Sequence, residues 1–110
     1  MGSTFREKEN EVKITGNTMK WLKENLNQKE LDLLIQALKS KKRPSELAQD
    51  NLEISKDRMN LLNVIYGRMN LHLKDNNTYL DSEDIKVIRG FMEMAELKKM
   101  IPELVTGEKT

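Results

Sequence analysis

The sequence predicts an all-α protein, a four- or five-helix bundle, and its composition and apolar spacing both point to this class. Charged residues make up 34% of the 110 residues and aromatic residues only 5%, with 2 Pro and 5 Gly. This balance favours helices over sheets. With 37% apolar residues the chain has enough for one core. We expect a single helical domain over residues 17–101, between a flexible arm (1–16) and a flexible tail (102–110).

The first helix is predicted to be short and to follow the polar arm. Val12 to Thr15 alternate as a short strand does, but no second strand is predicted to pair with them, so we assign them to the arm. Thr18 is a candidate N-cap. Beyond it, Met19, Leu22 and Leu26 recur at helical spacing.

The helix predicted over residues 27–41 has the strongest local signals. Asn27 and Glu30 have the spacing of a capping box, in which each side chain accepts a hydrogen bond from the other residue's backbone N–H. Cations near the end of this segment suit the negative end of the helix dipole, and Pro44 follows. Its apolar residues fall at i, i+3, i+4 and i+7: Leu31, Leu34, Ile35 and Leu38.

Residues 45–75 allow two interpretations. In the first, a short helix over about 45–51 turns into a longer helix that Ser55 caps and that ends near Lys74. In the second, one continuous helix runs from 45 to 75, because apolar residues keep a near-heptad spacing throughout. A break would permit a helix-turn-helix, whereas a continuous helix would not.

A closing helix is predicted over residues 82–101, after a turn at 75–78. Asp81 or Ser82 would cap it. Its apolar residues cover roughly half of the circumference, which is more than one bundle contact needs. The helix is therefore central to the bundle, or it dimerises, or it binds another protein. The candidate interface residues are Val87, Phe91, Met94, Leu97, Met100 and Ile101.

The segment from Ser45 to Arg68, SELAQDNLEISKDRMNLLNVIYGR, resembles the helix-turn-helix of bacterial transcriptional regulators, and LNQKELDLLIQAL before it resembles their leading helix. The resemblance covers about 40 residues and implies a helix-turn-helix unit within 45–74. The stretch between Ala48 and Ile54 is one residue longer than the usual turn and lacks its Gly.

The resemblance implies DNA contacts on the second helix of the unit. Arg and Asn side chains pair bidentately with guanine and adenine edges. Between residues 39 and 74 there are 8 basic and 4 acidic residues, a balance of +4, against 5 and 7, or −2, over 81–110. Cations at the end of a helix are also stabilising without any partner. The implied base contacts are Lys56, Arg58, Asn60 and Asn63, and the implied phosphate contacts are Lys39, Lys41, Lys42, Arg43, Arg68 and Lys74.

The sequence lacks the residues that several classes of function need. The chain has no Cys, and His72 is its one histidine, so Cys-based zinc sites and histidine-based metal sites or triads are not predicted. We expect no enzyme, no metal and no cofactor. No apolar run suits a signal peptide or a membrane span, so we expect a soluble protein, cytoplasmic by default.

Two functions stay open at this point. One is a small bacterial or phage-type regulator that binds double-stranded DNA and dimerises through its last helix. The other is a helical adaptor or inhibitor that binds a partner protein through the Met-rich face of that helix.

Overall fold

The computed structural model describes residues 11–48 and 53–100, with side chains as far as residue 98. Within these ranges it confirms the all-α prediction with five helices. They are α1 (Gly16–Asn25), α2 (Gln28–Ser40), α3 (Pro44–Leu47), α4 (Lys56–Leu71) and α5 (Ser82–Met100). Two short strands, β1 (Lys13–Ile14) and β2 (Asn77–Thr78), form a parallel pair. The predicted tail, 102–110, and the first ten residues of the predicted arm lie outside the described residues.

Helix α4 is the centre of the bundle, because α2, α3 and α5 all contact it. Helices α2 and α3 also contact each other, and α1 packs on α2. None of the helices in the described ranges combines the length and hydropathy that a bilayer crossing requires. The core side chains that are almost fully buried are Leu22, Leu34, Ala37, Leu38, Leu62, Ile65, Met69 and Ile88.

The capping box predicted before α2 is confirmed. Asn27 Oδ1 accepts a hydrogen bond from the Glu30 backbone N–H at 2.8 Å, and the Asn27 N–H donates to Glu30 Oε1 at 3.0 Å. After the helix, Lys41 adopts a left-handed conformation with φ of 59°. Pro44 then begins α3 as its first residue, a position where a missing backbone N–H leaves no helical bond unmade.

The chain breaks before α4, so the interpretation of one continuous helix over 45–75 is wrong. Ser55 has an extended backbone, and its Oγ accepts from the Arg58 backbone N–H at 3.3 Å, as an N-cap does. Of the short helix predicted over 45–51, the described part is α3, and residues 49–52 lie outside the described ranges. Helix α4 ends at Leu71, three residues before the predicted end.

The strand partner that the sequence analysis did not find is Asn77–Thr78. Asp75 and Asn76 have φ of 53° and 63°, a left-handed conformation that Asp and Asn tolerate better than most residues. This turn delivers β2 alongside β1, with Lys13 opposite Asn77. The prediction of a flexible arm is therefore wrong for residues 13–14, because their hydrogen-bonding partner had been assigned to the turn.

Thr18 is not the N-cap of α1, since the helix begins at Gly16 after Thr15. Thr18 is buried within the helix, and its Oγ1 accepts from the Leu80 backbone N–H at 2.9 Å and from the Thr15 hydroxyl at 2.9 Å. The Thr78 hydroxyl donates to the Met69 carbonyl at the end of α4. We call β1, β2 and these threonine bonds the latch, because they fasten the start of the described chain to the segment between α4 and α5.

Candidate functional site

One face of α4 carries amides, a glycine and lysines but no acidic residue. The members within the helix, at residues 56–70, alternate spacings of four and three residues, which places them along one side of it. Five of the six are exposed, and the remaining one, Asn63, is half-buried. We call this surface the asparagine face: Lys56, Asn60, Asn63, Gly67, Asn70 and, just beyond the end of the helix, Lys74.

The fold does not account for this choice of residues. Asn and Gly each destabilise a helix interior by roughly 0.5–1 kcal/mol relative to Ala. Among the described residues, the side chains of Asn60 and Asn70 make no hydrogen bond, and a Cβ at Gly67 would meet nothing within 4 Å. Residues that disfavour the local helix and make no compensating contact are expected at functional sites. Asp57, which is also exposed, lies beside this face.

The segment that follows the basic run at the end of α2 contacts the asparagine face. The Ser45 backbone N–H donates to Asn63 Oδ1 at 3.2 Å, which holds the start of α3 against the middle of α4. Burial, as the main cause, and Glu46 raise the pKa of the Tyr66 hydroxyl, whereas Arg43 lowers it. Arg43 also pairs with Glu46 at 3.6 Å. The run consists of Lys39, Lys41, Lys42 and Arg43, all exposed.

Arg58, a predicted base contact, lies on the core side of α4. At about 100° per residue, a position two residues after Lys56 is roughly 200° around the helix. Arg58 Nε and Nη2 donate to the two oxygens of Glu30, both at 2.8 Å, and Nη2 also donates to the Asn25 carbonyl at 2.8 Å. This bidentate pair occupies the guanidinium, so Arg58 has no fork free for a base edge.

Glu30 is the buried partner that requires this arginine. Its residue is only 3% exposed, and the hydrogen bonds from Arg58, opposed by burial, hold the pKa of its carboxyl below the usual range. The same pairing raises the pKa of Arg58. Glu30 is thus charged inside the fold, where it serves as helix cap and arginine partner together.

Arg68, a predicted phosphate contact, is likewise bonded within the molecule, to the buried carboxylate of Asp84. Arg68 Nε donates to Asp84 Oδ1 at 2.7 Å, and His72 Nε2 lies 2.6 Å from Asp84 Oδ2. The Asp81 N–H donates to Asp84 Oδ2 at 3.0 Å, while Asp81 Oδ1 accepts from the Asp84 N–H at 2.9 Å. Asp84 thereby joins the end of α4 to the capped start of α5.

The electrostatics of Asp84 follow from these partners. Burial raises its pKa, but the Asp81 N–H, Arg68 and His72 outweigh burial and lower it to about 2. The His72 ring stacks on Tyr79 with centroids 4.3 Å apart, and its side chain is 21% exposed, so His72 packs at the boundary of the fold. The sequence placed Asp84 in the first turn of α5 but gave no signal that Arg68 and His72 converge on it.

His72, Asp81 and Asp84 also have the geometry of a possible metal site, since one ligand atom from each lies within 4.8 Å of the others. Arg68 already supplies a positive charge to Asp84, and the hydrogen bonds given above use both oxygens of its carboxylate. We therefore assign these residues a structural role in closing the junction between α4 and α5.

The chain matches no protein-family model, no curated protein and no solved structure. The resemblance of residues 26–68 to helix-turn-helix regulators thus stays a hypothesis. Function has to be argued from the surfaces of the molecule.

Helix α5 has a second exposed surface on the side away from the bundle. Of the predicted interface residues, Val87, Met94 and Leu97 are 45%, 58% and 51% exposed, whereas Phe91 is half-buried against the core. The side chain of Met100, and Ile101 as a whole, lie outside the described residues. Ile88 on the opposite side is fully buried, so one side of α5 completes the core and another carries apolar residues that are about half exposed.

Proposed function

We propose that the protein binds double-stranded DNA, with the asparagine face of α4 against the base edges and the basic run of α2 on the phosphates. The observation that carries the proposal is the asparagine face itself, a row of amides that contains no acidic residue and has a lysine before and after it. An Asn side chain pairs bidentately with N6 and N7 of adenine in the major groove, and lysines contact phosphate oxygens.

The packing of α2, α3 and α4 supports this proposal. The three helices contact one another, and α4 follows the turn that ends at the Ser55 cap. In helix-turn-helix proteins the second helix of the motif lies in the major groove while neighbouring elements contact the backbone. Gly67 has no side chain to hold the α4 backbone away from a groove.

The structure changes which residues carry the proposal. Arg58 and Arg68 are removed, since both are bonded to buried carboxylates. Asn63 is left out of the base contacts because its Oδ1 already accepts a hydrogen bond from the Ser45 N–H. Asn70 is added. Base contacts then fall to Lys56, Asn60 and Asn70, and the phosphate contacts are Lys39, Lys41, Lys42, Arg43 and Lys74.

The double variant Asn60→Ala, Asn70→Ala tests the base contacts. The probe is a duplex selected by the wild type from a random-sequence pool. A good bidentate pair contributes about 1–3 kcal/mol of discrimination, so we expect binding at least tenfold weaker. Because Ala is the better helix former, the unfolding temperature should be unchanged or slightly higher. The loss of affinity can then be distinguished from unfolding. Fluorescence anisotropy measures the affinity.

The matched control is Asn17→Ala, an exposed asparagine on α1 far from this face in sequence. Its affinity should equal that of the wild type. An unchanged affinity in the double variant would overturn the assignment of the bases to α4, and no selection of any duplex by the wild type at low salt would overturn the proposed function.

The basic run predicts a specific salt dependence. Each phosphate contact contributes about 0.9 to the slope of log affinity against log salt concentration. Lys41→Ala with Lys42→Ala should therefore lower the magnitude of that slope by about 2. The control is Lys20→Ala with Lys23→Ala, two exposed lysines of α1, which should leave it unchanged. Equal slopes in the two double variants would remove the basic run from the interface.

A further inference from the structure

The exposed apolar side of α5 forms a regular row, which we call the outer stripe: Val87, Gly90, Met94 and Leu97. The spacing of three, four and three residues is that of the a and d positions in a coiled coil, and it lines one side of a helix. The three large side chains are each about half exposed. Single exposed apolar residues are common, but a row at this spacing indicates a surface that another helix covers.

Gly90 is the least expected member of the outer stripe. It lies in the middle of a 19-residue helix, where Gly costs about 1 kcal/mol relative to Ala. A Cβ at this position would meet nothing within 4 Å, and φ is not positive. The fold of one chain therefore gives no reason for a glycine here. A second helix lying across the outer stripe does, because the missing side chain makes room for a large one.

We infer that a second copy of the chain packs antiparallel against the outer stripe. The four positions are symmetric about residue 92, so an antiparallel copy places Gly90 opposite the partner's Met94 and Val87 opposite the partner's Leu97. Gly90 therefore faces the large Met94 in the two inner layers, and Val87 faces the longer Leu97 in the two outer layers. The arrangement has the twofold symmetry that most homodimers use, in which each contact occurs twice.

Charge at the two ends of the stripe favours the same occupant and direction. Glu83 lies one turn before Val87 on this side of α5, and Lys98 follows Leu97; both are exposed. In the antiparallel pair, Glu83 comes near the partner's Lys98 at each end. A parallel pair would instead place Glu83 beside the partner's Glu83. Antiparallel helix dipoles add to this preference. The inference concerns α5 alone and does not depend on DNA binding by α4.

The test is sedimentation equilibrium of the full chain from about 1 µM to about 1 mM, a range that reports dissociation constants of weak and strong dimers. The wild type should be a dimer in equilibrium with monomer. Gly90→Gln should weaken dimerisation about tenfold or more, because the new side chain meets the partner's Met94, while the monomer stays folded or gains stability. The matched control is Arg89→Gln, an exposed neighbour off the stripe, which should dimerise as the wild type does.

A charge swap tests the direction of packing. Glu83→Lys alone should weaken the dimer, since it sets two lysines near each other at each end, and adding Lys98→Glu should restore it. A wild type that stays monomeric at the highest concentration overturns the inference. So does equal dimerisation of Gly90→Gln and wild type, or a Gly90→Gln effect matched by Arg89→Gln. A double charge variant no tighter than Glu83→Lys overturns the antiparallel direction.

Discussion

Arg58→Ala is expected to lower the free energy of unfolding by about 3 kcal/mol. The substitution leaves the carboxylate of Glu30 buried without its partner, and breaking a buried ion pair from one side costs about 3–5 kcal/mol. The lower end applies because the Arg58 side chain is about one-third exposed, at 34%. Urea unfolding followed by circular dichroism measures the change. Because this variant acts on stability, it is not a test of the proposed base contacts.

Two further variants make this prediction specific. Lys56→Ala, at an exposed position two residues earlier, should change stability by less than about 0.5 kcal/mol. Adding Glu30→Gln to Arg58→Ala should recover part of the loss, because a buried amide costs less than a buried charge. If Arg58→Ala unfolds at the same urea concentration as the wild type, the pair does not stabilise the fold.

Asp84→Asn is expected to lower the free energy of unfolding by about 2–4 kcal/mol at neutral pH. Asp84 is 1% exposed and bonds with Arg68, His72 and the capping N–H of Asp81. An amide removes the charge that Arg68 neutralises and offers one acceptor oxygen in place of two. Thermal and urea unfolding measure the loss. Glu96→Gln, at an exposed position of α5 outside the outer stripe, serves as the control and should be nearly neutral.

The carboxylate of Asp84 makes the stability of the fold fall as the pH is lowered. The pKa of Asp84 is lowered to about 2 from its ordinary value of 3.8. Its contribution to stability is therefore complete above about pH 4 and is lost as the pH falls toward 2. The lowered pKa corresponds to roughly 2–3 kcal/mol of stability. Glu30, whose pKa is also lowered, acts in the same direction. Asp84→Asn should show a shallower loss between pH 4 and 2 than the wild type, and an equal slope would contradict this assignment.

The features that the sequence predicted correctly depend on neighbours within four residues. The capping box of Asn27 and Glu30, the cap at Ser55 and the start of α5 after Asp81 all formed as expected. In each case a short polar side chain bonds to a backbone N–H three residues later, so the pattern is complete in the local sequence.

The sequence was least informative where distant residues decide the outcome. Composition gives the charge of Arg58 and Arg68 but not the buried carboxylates that neutralise them, which come from other elements. For Arg58, helix geometry alone was informative. Residues two positions apart lie on different sides of a helix, so Arg58 and Lys56 cannot share one. The asparagine face could have been found from its spacing of four and three residues. The lack of hydrogen bonds at Asn60 and Asn70 could not be predicted, because it depends on which side of α4 the bundle covers.

The latch has a consequence for folding kinetics. The bond from Leu80 to Thr18 spans 62 residues, whereas the caps and the contacts among α2, α3 and α4 join segments much nearer in sequence. Closing the longer loop has the larger entropy cost, so the latch is expected to form after the three-helix unit. An interaction absent from the transition state affects the unfolding rate and leaves the folding rate nearly unchanged. We therefore expect the segment around β1 to dock after the bundle has formed and, once docked, to slow unfolding.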